Sequence, residues 1–126
     1  MSKKIIRSRY FAEREFQRCS PSCSLQDMTQ EAMDAFDAVR ERAGIPLVIN
    51  CAFRSREWDK ARGRSGNSAH TKGVALDIRA NSSATRMKIV SAALAEGITR
   101  IGIGQGFVHL DIDNTLPQGI MWHYYE

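Results

Sequence analysis

The residues best able to do chemistry are two histidines and two carboxylates. His70 and Asp77 fall in Ser68-Ala-His-Thr-Lys-Gly-Val-Ala-Leu-Asp77, and His109 and Asp111 fall in Phe107-Val-His-Leu-Asp111. Neutral imidazole and carboxylate are good ligands for a divalent ion such as zinc. If a fold gathers His70, Asp77 and His109 around one ion, three protein ligands leave a fourth position open, which is the arrangement of a catalytic zinc site. Either histidine alone would be uninformative, because a single histidine is usually structural or solvated.

The elements that must position these groups can be read from local pattern. His70 lies in a loop entering a strand read over Val74–Ile78, and Asp77 lies within that strand. Gly73 lets the chain turn between them, since glycine accepts backbone angles that other residues avoid. A second strand, 107–113, carries His109 and must pair near Asp77. Residues two apart on a strand share a face. Phe107, His109 and Asp111 therefore point one way and Val108, Leu110 and Ile112 the other, with the apolar set toward the core and the ionisable pair toward a cleft.

The remaining pattern predicts a short helix over 8–18 capped by Ser8, and a long helix over 29–43. Thr29 is its N-cap, Ala32, Met33, Phe36, Val39 and Ala43 form its apolar stripe, and Gly44 ends it. A strand is expected over 47–53 and a short helix at 56–62. Another long helix is expected over 85–96, with Met87, Val90 and Leu94 as its buried stripe. Strands 100–104 and 107–113 are joined at Gln105-Gly106 as a hairpin, and a last strand runs through the tail at 121–125. Helices and strands mix with short connections, and the final strands follow one another directly. The expected fold is α+β, a single small domain over 1–126 with a largely antiparallel sheet.

The chain has 126 residues, 43% apolar and 25% charged. That suits one ordinary globular domain, which buries roughly two-thirds of its unfolded surface. The net charge of +4 comes from 18 basic and 14 acidic residues. Much of the excess lies at Lys3, Lys4, Arg7 and Arg9 and at Arg54, Arg56, Lys60, Arg62 and Arg64. The first group reads as solvated surface; the second precedes the histidine motif and could attract an anionic substrate. No recognised nucleic-acid motif accompanies it, so nucleic acid is not the expected partner. Cys19, Cys23 and Cys51 are an odd number, which argues against a disulfide framework; Cys51 reads as core. No segment is apolar enough to span a membrane. The basic opening lacks an apolar h-region, so the expected location is the cytoplasm as synthesised. A monomer is the expected state.

Ser68-x-His70-x-x-Gly73-x-Ala75-x-Asp77 and Phe107-Val-His109-Leu-Asp111 resemble the two metal motifs of peptidase M15. This family of zinc D-alanyl-D-alanine carboxypeptidases and peptidoglycan endopeptidases has a branch found in phage and mobile elements. Asn50-Cys-Ala-Phe-Arg54-Ser55 is similar to the segment written Ser-Gly-Tyr-Arg-Ser in relatives, and Trp122 and Tyr124 resemble the aromatic end of the domain. The resemblance runs from about residue 8 to the C-terminus. It implies His70, Asp77 and His109 as ligands of one Zn2+, Arg54 as the basic group facing substrate or the polarised carbonyl, and Ser68 as a supporting or substrate-contacting group. It further implies a fold shared with the hedgehog signalling domain, and a peptidoglycan peptide as substrate. A phage lytic role would require release to the cell wall through a holin.

The sequence departs from the family where a general base is expected. Relatives place a glutamate three residues before the last histidine, or a histidine two before it; here Gly106 and Phe107 stand there. Asn50 and Cys51 replace Ser-Gly, and Phe53 replaces a tyrosine. Two roles are open to Asp111: a catalytic one, activating water, or orienting an imidazole from behind. His123 is a lesser candidate. The alternative to a peptidase is a catalytically weak or inactive zinc module that recognises cell-wall peptides or a protein partner; a nucleic-acid-binding protein is a weaker third reading.

Overall fold

The computed structural model describes residues 4–125; Lys3 of the N-terminal basic group lies outside them. The chain forms helices α1 (Glu13–Gln17), α2 (Gln30–Ala43), α3 (Arg56–Ala61) and α4 (Ser83–Ala95). Its strands are β1 (Ile49–Cys51), β2 (Ala75–Arg79), β3 (Arg100–Ile103), β4 (Phe107–Asp111) and β5 (Ile120–His123). Short 3-10 turns occupy Leu25–Asp27 and Ala69–Lys72. The five strands form one sheet in the order β1-β2-β4-β3-β5. Every pairing is antiparallel except β3 with β5, which is parallel. The expected α+β class and antiparallel-dominant sheet are what the structure has.

α2 forms as its pattern predicts. Thr29 Oγ1 accepts from the Ala32 N–H, Ala32, Met33, Phe36 and Val39 are buried, and Gly44 closes the helix at φ 69°. An N-cap of this kind is worth about 1 kcal/mol. With α4, it covers the apolar face of the sheet, where Leu76, Ile78, Ile101, Val108 and Leu110 are buried.

Two expectations fail. The first helix spans only Glu13–Gln17, and Ser8 does not cap it. Ser8 Oγ instead donates to Asp37 Oδ1 on α2, which straps the extended N-terminal segment across that helix. In α4, Ile89, Ala92 and Ala93 are the buried residues, whereas Met87 and Leu94 are 66% and 53% exposed and Val90 is only partly buried. The small alanines let α4 approach its neighbours closely, so the inward face is the one with less side-chain bulk.

Candidate metal centre

The sheet builds the site as a row across its open face. In register, Asp77 on β2 stands beside His109 on β4, His109 beside Gly102 on β3, and Gly102 beside Trp122 on β5. The next row runs Ala75, Asp111, Arg100 and Ile120. Because successive side chains alternate faces, Val108 and Leu110 go into the core and His109 and Asp111 to the opposite side. Gly102 is needed for contact rather than for turning: a Cβ there would come 2.7 Å from Trp122 Nε1 and 2.9 Å from Tyr124 Cε2. The space it leaves admits the indole, whose ring centroid lies 5.4 Å from that of His109.

His70 arrives from outside the sheet. The 3-10 turn Ala69–Lys72 ends at Gly73, with φ 71°. A Cβ at Gly73 would collide with the Asp27 carbonyl oxygen, and the Gly73 carbonyl accepts from Thr29 N–H. Glycine is therefore required both by its left-handed backbone and by close approach to the Leu25–Asp27 turn that precedes α2. This turn drops His70 beside Asp77.

The two imidazoles converge on one carboxylate oxygen. His70 Nε2 lies 3.3 Å and His109 Nδ1 2.9 Å from Asp77 Oδ1. The opposite nitrogen of each ring is held by an acceptor: His70 Nδ1 by the Ala52 carbonyl at 2.5 Å, His109 Nε2 by Asp111 Oδ2 at 2.7 Å. A carbonyl and an ionised carboxylate only accept, so those nitrogens carry the hydrogens. His70 Nε2 and His109 Nδ1, both turned toward Asp77 Oδ1, are then the nitrogens that can give a lone pair to a cation once the rings are neutral. The residues present thus fit a divalent metal in both donor type and orientation.

In the metal-free protein the electrostatics favour protonated rings, so a bound cation must displace a proton. Burial would push His70 down, but hydrogen bonds to Asp77 and Cys51 raise it to about 9. His109 is raised by Asp111 and Asp77 against the same burial. Burial would raise Asp77 and Asp111, yet the imidazoles, with Arg100 at Asp111, hold both below the usual carboxylate range.

Cys51, His70 and Asp77 also form a cluster whose ligand atoms all lie within 4.8 Å of one another, capable of coordinating a metal ion. Cys51 is buried, as its apolar context suggests, but it stands opposite Asp77 and its Sγ is 3.8 Å from His70 Nδ1. A register irregularity between Ile49 and Cys51 puts it there, and no simple alternation in the sequence announces such a bulge.

Arg54 and Ser68 meet beside the histidines. Arg54 Nη2 donates to Ser68 Oγ at 3.3 Å, and Ser68 Oγ donates to Asp59 Oδ2 at 2.9 Å. Arg54 Nε is 3.0 Å from Asp59 Oδ1. Asp59, fully buried on α3, was missed in the sequence, where it looks like a surface residue of a charged helix. Arg100 was also missed; its Nε is 2.7 Å from Asp111 Oδ1. Arg54, Ser68 and Arg100 edge a cleft of about 380 Å³ that contains His70, Asp77, His109 and Asp111 and is walled by Trp122 and Tyr124. His123 does not line it. It is exposed on the edge strand β5, where its Nδ1 accepts from the Tyr125 N–H.

Two imidazoles aimed at one carboxylate on the floor of a cleft form a candidate metal-coordinating site. The peptidase M15 family profile matches residues 9–111, and the chain belongs to that zinc-metallopeptidase family. Comparison with curated proteins gives no significant match. Among the described residues, no helix is long and apolar enough to cross a membrane.

Proposed function

We propose that this protein is a zinc-dependent peptidase that hydrolyses peptidoglycan stem or cross-link peptides. The observation that carries the reading is the convergence of His70 Nε2 and His109 Nδ1 on Asp77 Oδ1 at the floor of the cleft. In this reading His70, Asp77 and His109 hold the ion. Zinc, when bound, supplies Lewis-acid polarisation of a carbonyl and makes water more acidic.

The chain's own residues supply the rest. Arg54 presents a permanently charged fork toward the scissile carbonyl, where an oxyanion develops. Buried Asp59 and Ser68 fix that fork in place. Trp122 and Tyr124 wall the site, and exclusion of water strengthens each charge interaction inside. Of the two roles open to Asp111, its geometry favours orienting His109. It is 1% exposed and already serves His109, Arg100 and the Asp113 N–H. Action at the cell wall, with synthesis in the cytoplasm, belongs to the same proposal.

That commitment of Asp111 also favours a second reading. Among the described residues lining the cleft, each imidazole and carboxylate is engaged with another protein group. A zinc module that binds wall peptides with little or no turnover fits this observation. Digestion of purified peptidoglycan, with mass spectrometry of released peptides and with chelator and Asp77→Asn controls, separates the two. Metal-dependent release of peptides or D-alanine supports the peptidase; peptide binding without release supports the module.

A further inference from the structure

Cys19 and Cys23 stand outside the cleft, and their thiols lie against each other. The chain leaving α1 folds both residues back onto its last turn. The Cys19 N–H and the Cys23 N–H each donate to the Phe16 carbonyl at 3.1 Å. Cys19 Sγ lies 3.4 Å from the Glu15 carbonyl oxygen, and Cys23 Sγ lies 3.6 Å from that of Phe16. With both amides on one oxygen and the two sulfurs on consecutive carbonyls, the side chains share one small volume and hydrogen-bond to each other. Both are free thiols.

The two thiols are not equivalent. Cys19 is buried, whereas Cys23 is half-buried and follows exposed Ser22. The hydrogen bond to Cys23, followed by burial, pushes the Cys19 thiol up. The same bond pulls Cys23 down against burial, and the Phe53 N–H adds to the effect. A disulfide is attacked by a thiolate that a reagent can reach. Both conditions meet at Cys23, and a second thiol stands directly behind it. Cys51 is buried elsewhere, with its Sγ against His70.

We propose that Cys19 and Cys23 form a thiol–disulfide exchange site that takes a small-molecule disulfide, with Cys23 as the attacking sulfur and Cys19 as the resolving one. The Cys23 thiolate attacks one sulfur of the reagent. The reagent's S–S bond breaks, and one thiolate leaves. Cys19 then gives up its proton and attacks the Cys23 sulfur of the mixed disulfide, and the second reagent thiolate leaves. Two protein thiols are oxidised to one disulfide, one reagent disulfide is reduced to two thiols, and the two protons pass through solvent to the departing thiolates.

The bond would lie beside the support of the metal centre. Ser20 N–H donates to the Asn50 carbonyl at 3.1 Å, and Cys19 Sγ reaches the Ile49 carbonyl at 3.9 Å, so this loop is stitched to β1. The same segment continues to Ala52, whose carbonyl holds His70 Nδ1. Oxidation therefore cross-links the chain next to that support and leaves the cleft residues chemically unchanged. The proposal does not depend on the peptidase reading.

The test incubates the folded full chain with oxidised glutathione, quenches in acid and counts free thiols after denaturation. Three thiols are expected to fall to one, and peptide mapping is expected to place the bond between Cys19 and Cys23 with Cys51 free. Cys19→Ala is expected to stop at a stable glutathione adduct on Cys23, because nothing resolves it. Cys23→Ser is expected to keep the Cys19 thiol. Circular dichroism checks that each variant is folded, and the wild-type mapping needs no variant. The proposal is overturned if the folded wild type keeps all three thiols under conditions that oxidise the urea-unfolded chain, or if the bond includes Cys51. An adduct on Cys19 in folded Cys23→Ser overturns the assigned order of attack.

Discussion

His109 Nε2 and Asp111 Oδ2 lie 2.7 Å apart, two residues along one strand, and this contact decides which imidazole nitrogen faces Asp77. Removing the charge while keeping the shape tests the orienting role. Asp111→Asn is expected to weaken metal affinity about 10–100-fold, as loss of a hydrogen-bonded carboxylate behind a ligating histidine does elsewhere. Competitive chelator titration measures it. Full metal retention with abolished turnover would return Asp111 to the catalytic role.

His70→Ala and Asp77→Asn should each abolish stoichiometric zinc in the purified protein. Elemental analysis reads this without any activity assay. Cys51→Ser distinguishes the two possible third donors. Little change in zinc content is expected, because Cys51 contacts the Nδ1 side of His70 while Nε2 faces Asp77.

The metal-free protein should lose stability in alkali. His70 is raised to about 9, and His109 is raised as well, by carboxylates that outweigh burial. Groups bound more tightly to protons in the folded state stabilise it fully below the unfolded value of about 6.5. That contribution disappears as pH climbs through about 9. Zinc affinity should rise over the same interval, since ligation requires neutral imidazole. Melting curves in chelator at pH 6 and pH 9.5 check the sign, and a flat profile would contradict it.

Asp59→Ala should be among the most destabilising single changes. It strands Arg54, whose side chain is only 12% exposed, and removes the acceptor of Ser68. Breaking one half of a buried ion pair costs about 3–5 kcal/mol. Urea denaturation measures it.

Gly102→Ala should displace Trp122, because the new methyl meets the indole at 2.7 Å. Overpacking of this kind costs about 1–3 kcal/mol. A red shift in tryptophan emission, with zinc content preserved, is the expected signature.

Much of this was legible because the groups lie on a strand with strict alternation. His109 and Asp111 against Val108 and Leu110 announce a polar and an apolar face, and the glycine at 73 marks the turn that brings His70 in. α2 was legible for the same reason, with bulky residues repeating at helical spacing between Thr29 and Gly44. The failures share a cause too. The inward face of α4 is lined by Ala92 and Ala93, and residue bulk pointed to Met87 and Leu94 instead. Cys51, Asp59 and Arg100 acquire their partners through tertiary contacts. A bulge, a buried helix face and a neighbouring strand create them, and none leaves a periodic trace in the chain.

The row from Asp77 through His109 and Gly102 to Trp122 draws on four strands, spread from β2 to β5 along the chain. A partly assembled chain therefore holds the histidines but not the grip, and metal capture reports that β2, β4 and the turn at Ala69–Lys72 have come together. The last of those strands supplies the indole wall, so a chain cut short before residue 120 would leave its centre open to water on that side.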